Sequence, residues 1–84
     1  MSDEAAAGPE AVRIGATIQA LREAHGLSRA ELARAIGRSE QLIGAIERGQ
    51  RRAVAPICRR IADTLGIPLA AITVENYEAI KESA

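Results

Sequence analysis

The residues of this chain that could carry chemistry do not form a catalytic set. His25 and Cys58 are its one histidine and its one cysteine, and no carboxylates accompany them at a metal-ligating spacing. No glycine-rich loop precedes a helix in the way that a phosphate cradle requires. We therefore expect no enzyme, no metal and no cofactor. His25 is interpreted as a surface residue at a helix end, and Cys58 as a small hydrophobe on an inner helix face.

Arginine is the residue type whose distribution indicates a partner. The formal net charge is +0, yet residues 11–74 contain ten arginines against five acidic residues. Residues 1–10 contain three acids and no basic residue, and residues 75–84 contain three acids and one lysine. A basic segment attracts polyanions over about a Debye length, roughly 8 Å at physiological salt. The middle of the chain is therefore predicted to contact a polyanion.

Composition predicts one small all-α domain. The chain has 84 residues with 48% hydrophobic content, and Tyr77 is its one aromatic residue. The apolar residues are mostly isoleucine, leucine and alanine with a single aromatic, so the β-branched and aromatic patterning typical of strands is largely missing and helix formers dominate. No apolar run approaches the roughly 20 residues that cross a bilayer, and the N-terminus does not resemble a cleavable signal. We expect a soluble protein of a reducing cytoplasm.

The N-terminal residues predict a tail followed by a first helix. Residues 1–9 are small and acidic, with no apolar residue larger than alanine after Met1, so they have little to bury. They are predicted to be a flexible acidic tail. From Glu10 onward, apolar residues recur at helical spacing as far as Gly26, which predicts the first helix.

Two short helices should follow with only a tight turn between them. Ser28 and Glu31 form a capping box, in which two side chains satisfy free backbone N–H groups of the first turn. This box predicts a second helix that ends at Gly37. A third helix is predicted over residues 39–48, because Ser39 can cap its start and Gly49 suits a left-handed stop.

The C-terminal half predicts two more helices and an extension. A fourth helix is predicted from about Val54–Pro56 to Gly66, since proline is tolerated in a first turn. A short fifth helix is predicted from Pro68. Beyond it, three apolar residues lie at helical spacing in a segment that could form a dimer surface: Val74, Tyr77 and Ile80. The predicted segments are the tail, 1–9, the domain, 10–73, and the extension, 74–84.

The second and third predicted helices have the layout of a helix-turn-helix motif. The residues also resemble the Cro/C1-type (XRE family) helix-turn-helix proteins, which are lambda-repressor-like, from about Ile14 to Ile72. The matching stretches are "LRE…GLS…ELA", the glycine of the turn, "G-x-S", "I-x-x-I-E-R-G" and "IA-x-x-LG". The resemblance implies a compact, all-α, five-helix domain whose third helix enters the major groove of DNA.

The third helix is predicted to present one face to DNA bases. At about 100° per residue, its isoleucines turn inward and an opposite stripe is exposed. That stripe consists of Gln41, Gly44, Ala45 and Arg48. With the resemblance, the predicted base-contacting residues are Glu40, Gln41, Leu42, Gly44 and Ala45. Gln41 is the best reader, because an amide can pair bidentately with adenine. Gly44 and Ala45 stand where most family members have polar side chains, which predicts modest base recognition.

Phosphate anchoring is predicted to be stronger than base recognition. The resemblance implies that Arg29 and the residues after the third helix lie near phosphates, and arginines bracket that helix. The predicted phosphate contacts are Arg29, Arg38, Arg48, Arg51 and Arg52. The resemblance also implies a structural ion pair between Arg22 and Glu47, joining the first and third helices. Arg59 and Arg60 in the fourth helix are predicted to be solvated surface charges.

These expectations together predict a sequence-specific double-stranded DNA-binding regulator of transcription, acting as a repressor. It should bind as a homodimer in the cytoplasm of a bacterium or a phage host, at the nucleoid, with no membrane contact and no small-molecule effector. Two alternatives stay open. One is a protein-interaction module on the same fold, in which the third helix binds a partner and the arginines only solubilise. The other is the antitoxin of a toxin–antitoxin pair, which would also bind DNA.

Overall fold

The computed structural model describes the backbone of residues 3–72 and the side chains from Gly8 onward. These residues form four α-helices and one 3-10 turn. The helices are α1 (Asp3–Ala24), α2 (Arg29–Ile36), α3 (Glu40–Glu47) and α4 (Ala55–Leu65), and the turn is Leu69–Ala71. The described residues contain no strand. The predicted all-α class is therefore confirmed.

The prediction of a fifth helix is wrong. Residues Leu69–Ala71 form a single 3-10 turn, closed by the Ile72 N–H donating to the Leu69 carbonyl at 2.9 Å. A 3-10 turn has i→i+3 hydrogen bonds and a larger rise per residue than an α-helix. The turn delivers Ile72, which is 0% exposed, into the core. A full helix starting after Pro68 is not needed to bury it.

Helix α1 contains a break at Gly8. This residue has φ 70° and ψ −174°, which lies outside the helical region and is open mainly to glycine. Pro9 follows, and its missing N–H costs nothing at the start of a helical turn. The regular part of α1 thus begins at Pro9, one residue before the predicted start. The flexibility predicted for residues 1–9 stays a prediction.

Side-chain caps fix the start of α2. The Ser28 hydroxyl accepts from the Glu31 N–H at 3.0 Å, and the Ser28 N–H donates to the Glu31 carboxylate at 2.8 Å. The predicted capping box is confirmed, and the hydrogen bonds from Ser28 lower the pKa of Glu31. At the other end, Gly37 adopts the left-handed conformation with φ 72°. Because both ends are capped locally, α2 can stop after eight residues.

One aliphatic core holds the helices together. Its fully buried large side chains come from all four helices and the end of the 3-10 turn: Ile18, Leu32, Ile36, Ile43, Ile46, Ile61 and Ile72. Helices α1 and α3 are in close backbone contact at Gly15, where an added Cβ would overlap the carbonyl oxygen of Ile46. Gly15 therefore allows backbone contact between α1 and the last turn of α3.

Helix α4 packs against α2 and the 3-10 turn. Val54 is its N-terminal flanking residue, and Gly66 ends it in the left-handed conformation with φ 69°. Cys58 is buried on its inner face, where desolvation raises the pKa of the thiol. No helix of the described residues is long and apolar enough to cross a membrane. The predicted extension, 74–84, lies outside the described residues.

Candidate nucleic-acid interface

A three-residue turn places α3 against α2. Helix α2 ends at Ile36, and α3 begins at Glu40. The Ser39 hydroxyl accepts from the Leu42 N–H at 3.1 Å, which caps the first turn of α3 as the sequence predicts. On the inner side, Ile43 and Ile46 are fully buried. The opposite face of α3 is consequently fixed in direction and turned away from the core.

The outward face of α3 carries most of the residues predicted to contact bases. Glu40 and Gln41 are exposed, Ala45 is half-buried, and Leu42 is half-buried against the core. Gln41 therefore presents its amide with no hydrogen-bond partner among residues 3–72. An exposed amide on a helix is the group that pairs with adenine in the major groove.

Gly44 is covered by a neighbouring side chain. The residue is buried, although it lies on the outward stripe. A Cβ built on Gly44 would lie 3.0 Å from Nη1 of Arg48 and 3.7 Å from its Cζ. The guanidinium of Arg48 thus folds back over Gly44, as long helical side chains do when they point toward the N-terminus. Helical periodicity predicts which face of α3 a residue lies on, but it does not predict which neighbouring side chain covers that residue.

Gln50 also contacts the Arg48 guanidinium, at the edge formed by Nε and Nη2. Nε and Nη2 of Arg48 both lie 3.4 Å from Oε1 of Gln50, which accepts from them. Arg48 is nevertheless exposed to solvent. Its charge lies over the centre of the outward face of α3, rather than beyond the end of the helix.

A buried ionic cluster lies on the inner side of α3. The Glu47 side chain is 0% exposed and accepts from Arg22 at both oxygens, with Nε–Oε2 at 2.6 Å and Nη2–Oε1 at 3.1 Å. Arg29 also donates to it, with Nε–Oε1 at 2.9 Å. The structure thus brings together the two residues of the predicted ion pair and adds Arg29. The three residues carry one net positive charge, and we call them the Glu47 cluster.

Hydrogen bonding determines the charge state of this cluster. Desolvation alone raises the pKa of Glu47, but hydrogen bonds from Arg22 and Arg29, with their positive charges, lower it below the ordinary value. The hydrogen bond with Glu47 likewise raises the pKa of Arg22, against the effect of burial. Arg22 also donates to the Leu27 carbonyl at 2.7 Å, so it ties the end of α1 to the start of α2. The carboxylate is therefore charged at neutral pH.

Arg29 lies both in the Glu47 cluster and at the surface. Its side chain is 36% exposed, and it lines a groove beside α3. The other residues that line this groove are Glu40, Gln41, Gly44 and Arg48. The sequence predicts a phosphate contact for Arg29 but not its bond to Glu47, because no local pattern relates two residues that are 18 positions apart.

The remaining predicted phosphate contacts surround this face. Arg38, in the turn before α3, is exposed, and so are Arg51 and Arg52 after it. The backbone N–H of Arg51 donates to the Ala45 carbonyl at 3.3 Å, which keeps the following loop close to α3. The chain thus places basic side chains on both flanks of the outward stripe.

Arg60 is exposed, as predicted, but it also makes a contact that the sequence does not indicate. Its Nη1 donates to the Ile36 carbonyl at 3.1 Å, so it satisfies a terminal carbonyl of α2 and joins α4 to α2. Arg59 is exposed, as expected. The described residues contain no group of histidine, cysteine and carboxylate side chains that could hold a metal. Val74, Tyr77 and Ile80, the predicted dimerisation residues, lie outside the described part of the chain.

Two helices joined by a capped turn, with a fixed outward face on the second, define the fold. Residues 13–73 match the family model of the helix-turn-helix domain. The chain belongs to this family. The matched residues include the whole described core. The predicted membership of a helix-turn-helix family is therefore confirmed. Comparison with curated protein sequences gives no match.

Solved structures share the architecture of this helix-turn-helix domain. The restriction-modification controller protein C.AhdI from Aeromonas hydrophila is 32% identical, with a TM-score of 0.71 over 74% of this chain and 94% of the controller. The clp gene regulator ClgR from C. glutamicum is 23% identical, with a TM-score of 0.73 over 82% of this chain and 90% of ClgR. The first supports family membership, and the second supports the fold.

Proposed function

We propose that this protein is a sequence-specific double-stranded DNA-binding regulator of transcription, that it acts as a repressor, and that α3 enters the major groove. The observation that carries the proposal is the outward face of α3, where Gln41 is exposed and Arg48 lies between basic flanks. A major groove about 12 Å wide accepts an α-helix of about that diameter. The similarity to the restriction-modification controller protein, which is 32% identical, supports a regulatory function.

Base recognition in this proposal depends on Gln41. Its amide is exposed on the face that is turned away from the core, and bidentate pairing to adenine N6 and N7 uses an amide in this setting. Leu42 and Ala45 add apolar contacts of the kind that a thymine methyl group makes. Glu40 could accept from a cytosine amino group. Because Gln41 is the main base-contacting side chain among these residues, we expect modest discrimination between DNA sequences.

Affinity in this proposal comes mainly from arginines on both flanks of α3. Arg38 precedes the helix, and Arg51 and Arg52 follow it, all three being exposed. Arg29 adds the exposed part of its side chain. Each phosphate that is neutralised on duplex DNA releases close to one counterion, so the logarithm of affinity falls with the logarithm of salt concentration in proportion to the number of contacts.

We further propose that the protein binds as a symmetric homodimer. Two copies of α3 then reach half-sites about one helical turn apart, which doubles the length of DNA that is read. Val74, Tyr77 and Ile80 are the proposed dimer residues. Sedimentation of a chain truncated after Thr73 tests them, because an unchanged dimer would rule them out. The function implies a location at the nucleoid, in the cytoplasm of a bacterium or a phage-infected cell.

Fluorescence anisotropy with genomic DNA fragments tests the proposed function. The wild type should bind a subset of fragments, more weakly at 200 mM than at 50 mM salt. Arg51→Gln should weaken binding to all fragments and make the salt dependence shallower by about one counterion. The matched control is Arg59→Gln, an exposed arginine on α4, which should leave binding unchanged.

Absence of binding at 50 mM salt would contradict the proposal and favour the protein-interaction module. The observation that supports this second candidate is the exposure of two large apolar side chains, Val12 at 51% and Val54 at 47%. Binding without preference among fragments would indicate an architectural protein. A reporter gene fused to the bound fragment then separates repression from activation, and the gene beside the binding site tests the antitoxin alternative.

A further inference from the structure

Arg48 replaces the side chain that Gly44 lacks. Gly44 lies one turn after Gln41 on the outward face of α3, and the Arg48 guanidinium covers it with Nη1 3.0 Å from the position of an added Cβ. A larger residue at position 44 would push the guanidinium away. The absence of a side chain at Gly44 therefore makes room for the Arg48 guanidinium, whose positive charge lies over the middle of α3.

The geometry of the Arg48 guanidinium leaves one fork of donors available. A guanidinium has five N–H donors in a plane, arranged along two edges and one end. Gln50 occupies the edge formed by Nε and Nη2. The other edge, formed by Nη1 and Nη2, has no hydrogen-bond partner among residues 3–72. It lies beside Gly44, where an added Cβ would be 3.0 Å from Nη1 and 3.7 Å from Nη2, so the missing side chain of Gly44 is what leaves room at this edge. That edge is the fork that pairs bidentately with guanine O6 and N7.

We propose that Arg48 reads a guanine, together with Gln41, and that Gly44 and Gln50 position it. The inference rests on the proposed DNA-binding function. Arg48 extended beyond the end of α3 would reach a phosphate, whereas Arg48 folded back over Gly44 lies between the helix and the bases. Gln41 and Gly44 are three residues apart, or about 4.5 Å along the helix. A base pair rises about 3.4 Å, so the guanine lies one or two base pairs from the adenine that Gln41 reads.

Selection of bound duplexes from random DNA, using the full chain, tests this assignment. The wild-type sites should contain an adenine and a guanine one or two base pairs apart. Arg48→Lys retains the charge but loses the bidentate fork. The preference of this variant for guanine over other bases should be about 5- to 150-fold lower than that of the wild type. Its preference for adenine and its affinity for non-selected DNA should equal those of the wild type.

Two further variants test the positioning residues. Gly44→Ala crowds only the far end of a flexible side chain, so it should fold normally and lower the guanine preference while Arg48 is still present. Gln50→Ala removes the acceptor at 3.4 Å and should lower the same preference by a smaller factor. The thermal unfolding midpoint of each variant, compared with the wild type, excludes misfolding as the cause.

The outcomes separate this inference from the proposed function. If the wild type selects sites and Arg48→Lys selects the same sites with the same preferences, the assignment of Arg48 is wrong and the function stands. If Arg48→Lys weakens all duplexes equally, Arg48 is a phosphate contact and the assignment is again wrong. If the wild type binds no duplex at 50 mM salt, the proposed function itself fails.

Discussion

Replacement of Glu47 by glutamine should destabilise the fold more than any other single change at the charged residues of α3. The carboxylate is 0% exposed and accepts from Arg22 and Arg29 at 2.6–3.1 Å. An amide in its place turns an NH₂ group toward one of these donors and leaves the buried Arg22 without its buried counter-charge. Breaking a buried ion pair by removing one partner costs about 3–5 kcal/mol.

That cost is large compared with the stability of so small a domain. A chain of 84 residues is expected to have a free energy of unfolding of about 4–13 kcal/mol. Glu47→Gln should therefore shift the urea midpoint strongly, as measured by circular dichroism at pH 7. Arg22→Met combined with Glu47→Leu should recover most of the loss, because a buried pair can be replaced by apolar residues of similar volume.

Glu23→Gln is the matched control for this measurement. Glu23 also lies near Arg22, with Nη2–Oε2 at 3.6 Å, but its side chain is 59% exposed. An exposed ion pair contributes about 0–1 kcal/mol. If Glu47→Gln cost no more than Glu23→Gln, the stabilising role of the Glu47 cluster would be refuted.

The pH dependence of stability gives an independent check on Glu47. Its pKa in the fold lies below the ordinary value, which is about 4.3 in an unfolded chain. A depressed pKa adds stability above pH 4.3, and this contribution is lost as the pH falls toward the pKa of the folded state. The free energy of unfolding of the wild type should fall over that range, and the fall should be smaller in Glu47→Gln.

Three further changes test the close contact, the cap and the proposed reader. Gly15→Ala should cost about 1–3 kcal/mol in urea unfolding, because its methyl group overlaps backbone of α3 that cannot move freely. Ser28→Ala removes the α2 cap and should cost about 0.5–2 kcal/mol, whereas Ser28→Asp should retain most of the stability. Gln41→Ala should lower affinity for the selected site about 5- to 150-fold with no change for non-selected DNA. Unchanged preference in this variant would exclude Gln41 as a reader.

Local signals in the sequence predicted the helices well. Ser28 with Glu31 and Ser39 marked two helix starts, and Gly37 marked an end, because each acts through hydrogen bonds within one turn. The fifth helix was not predictable in the same way. After Pro68 the chain has only to bury Ile72, and one 3-10 turn achieves this.

The side-chain geometry of the site depends on contacts that periodicity does not contain. Periodicity places Gly44 on the outward stripe, but its burial results from the conformation of Arg48. The bond from Arg29 to Glu47 depends on how α2 packs against α3, and the bond from Arg60 to the Ile36 carbonyl depends on how α4 packs against α2. Family resemblance could suggest the Arg22–Glu47 pair because relatives share it, but it does not suggest the others.

The Glu47 carboxylate is buried on the inner side of α3, whereas Gln41 is exposed on its outward face, and this separation has a consequence for design. The contacts that hold the helix are made by Ile43, Ile46 and Glu47, and Gln41 makes none of them. New side chains at position 41 can therefore be introduced without redesigning the core. A library that varies the outward residues while retaining the cluster should yield folded proteins with altered DNA preferences, so the domain is suited to serve as a small scaffold for new binding specificities.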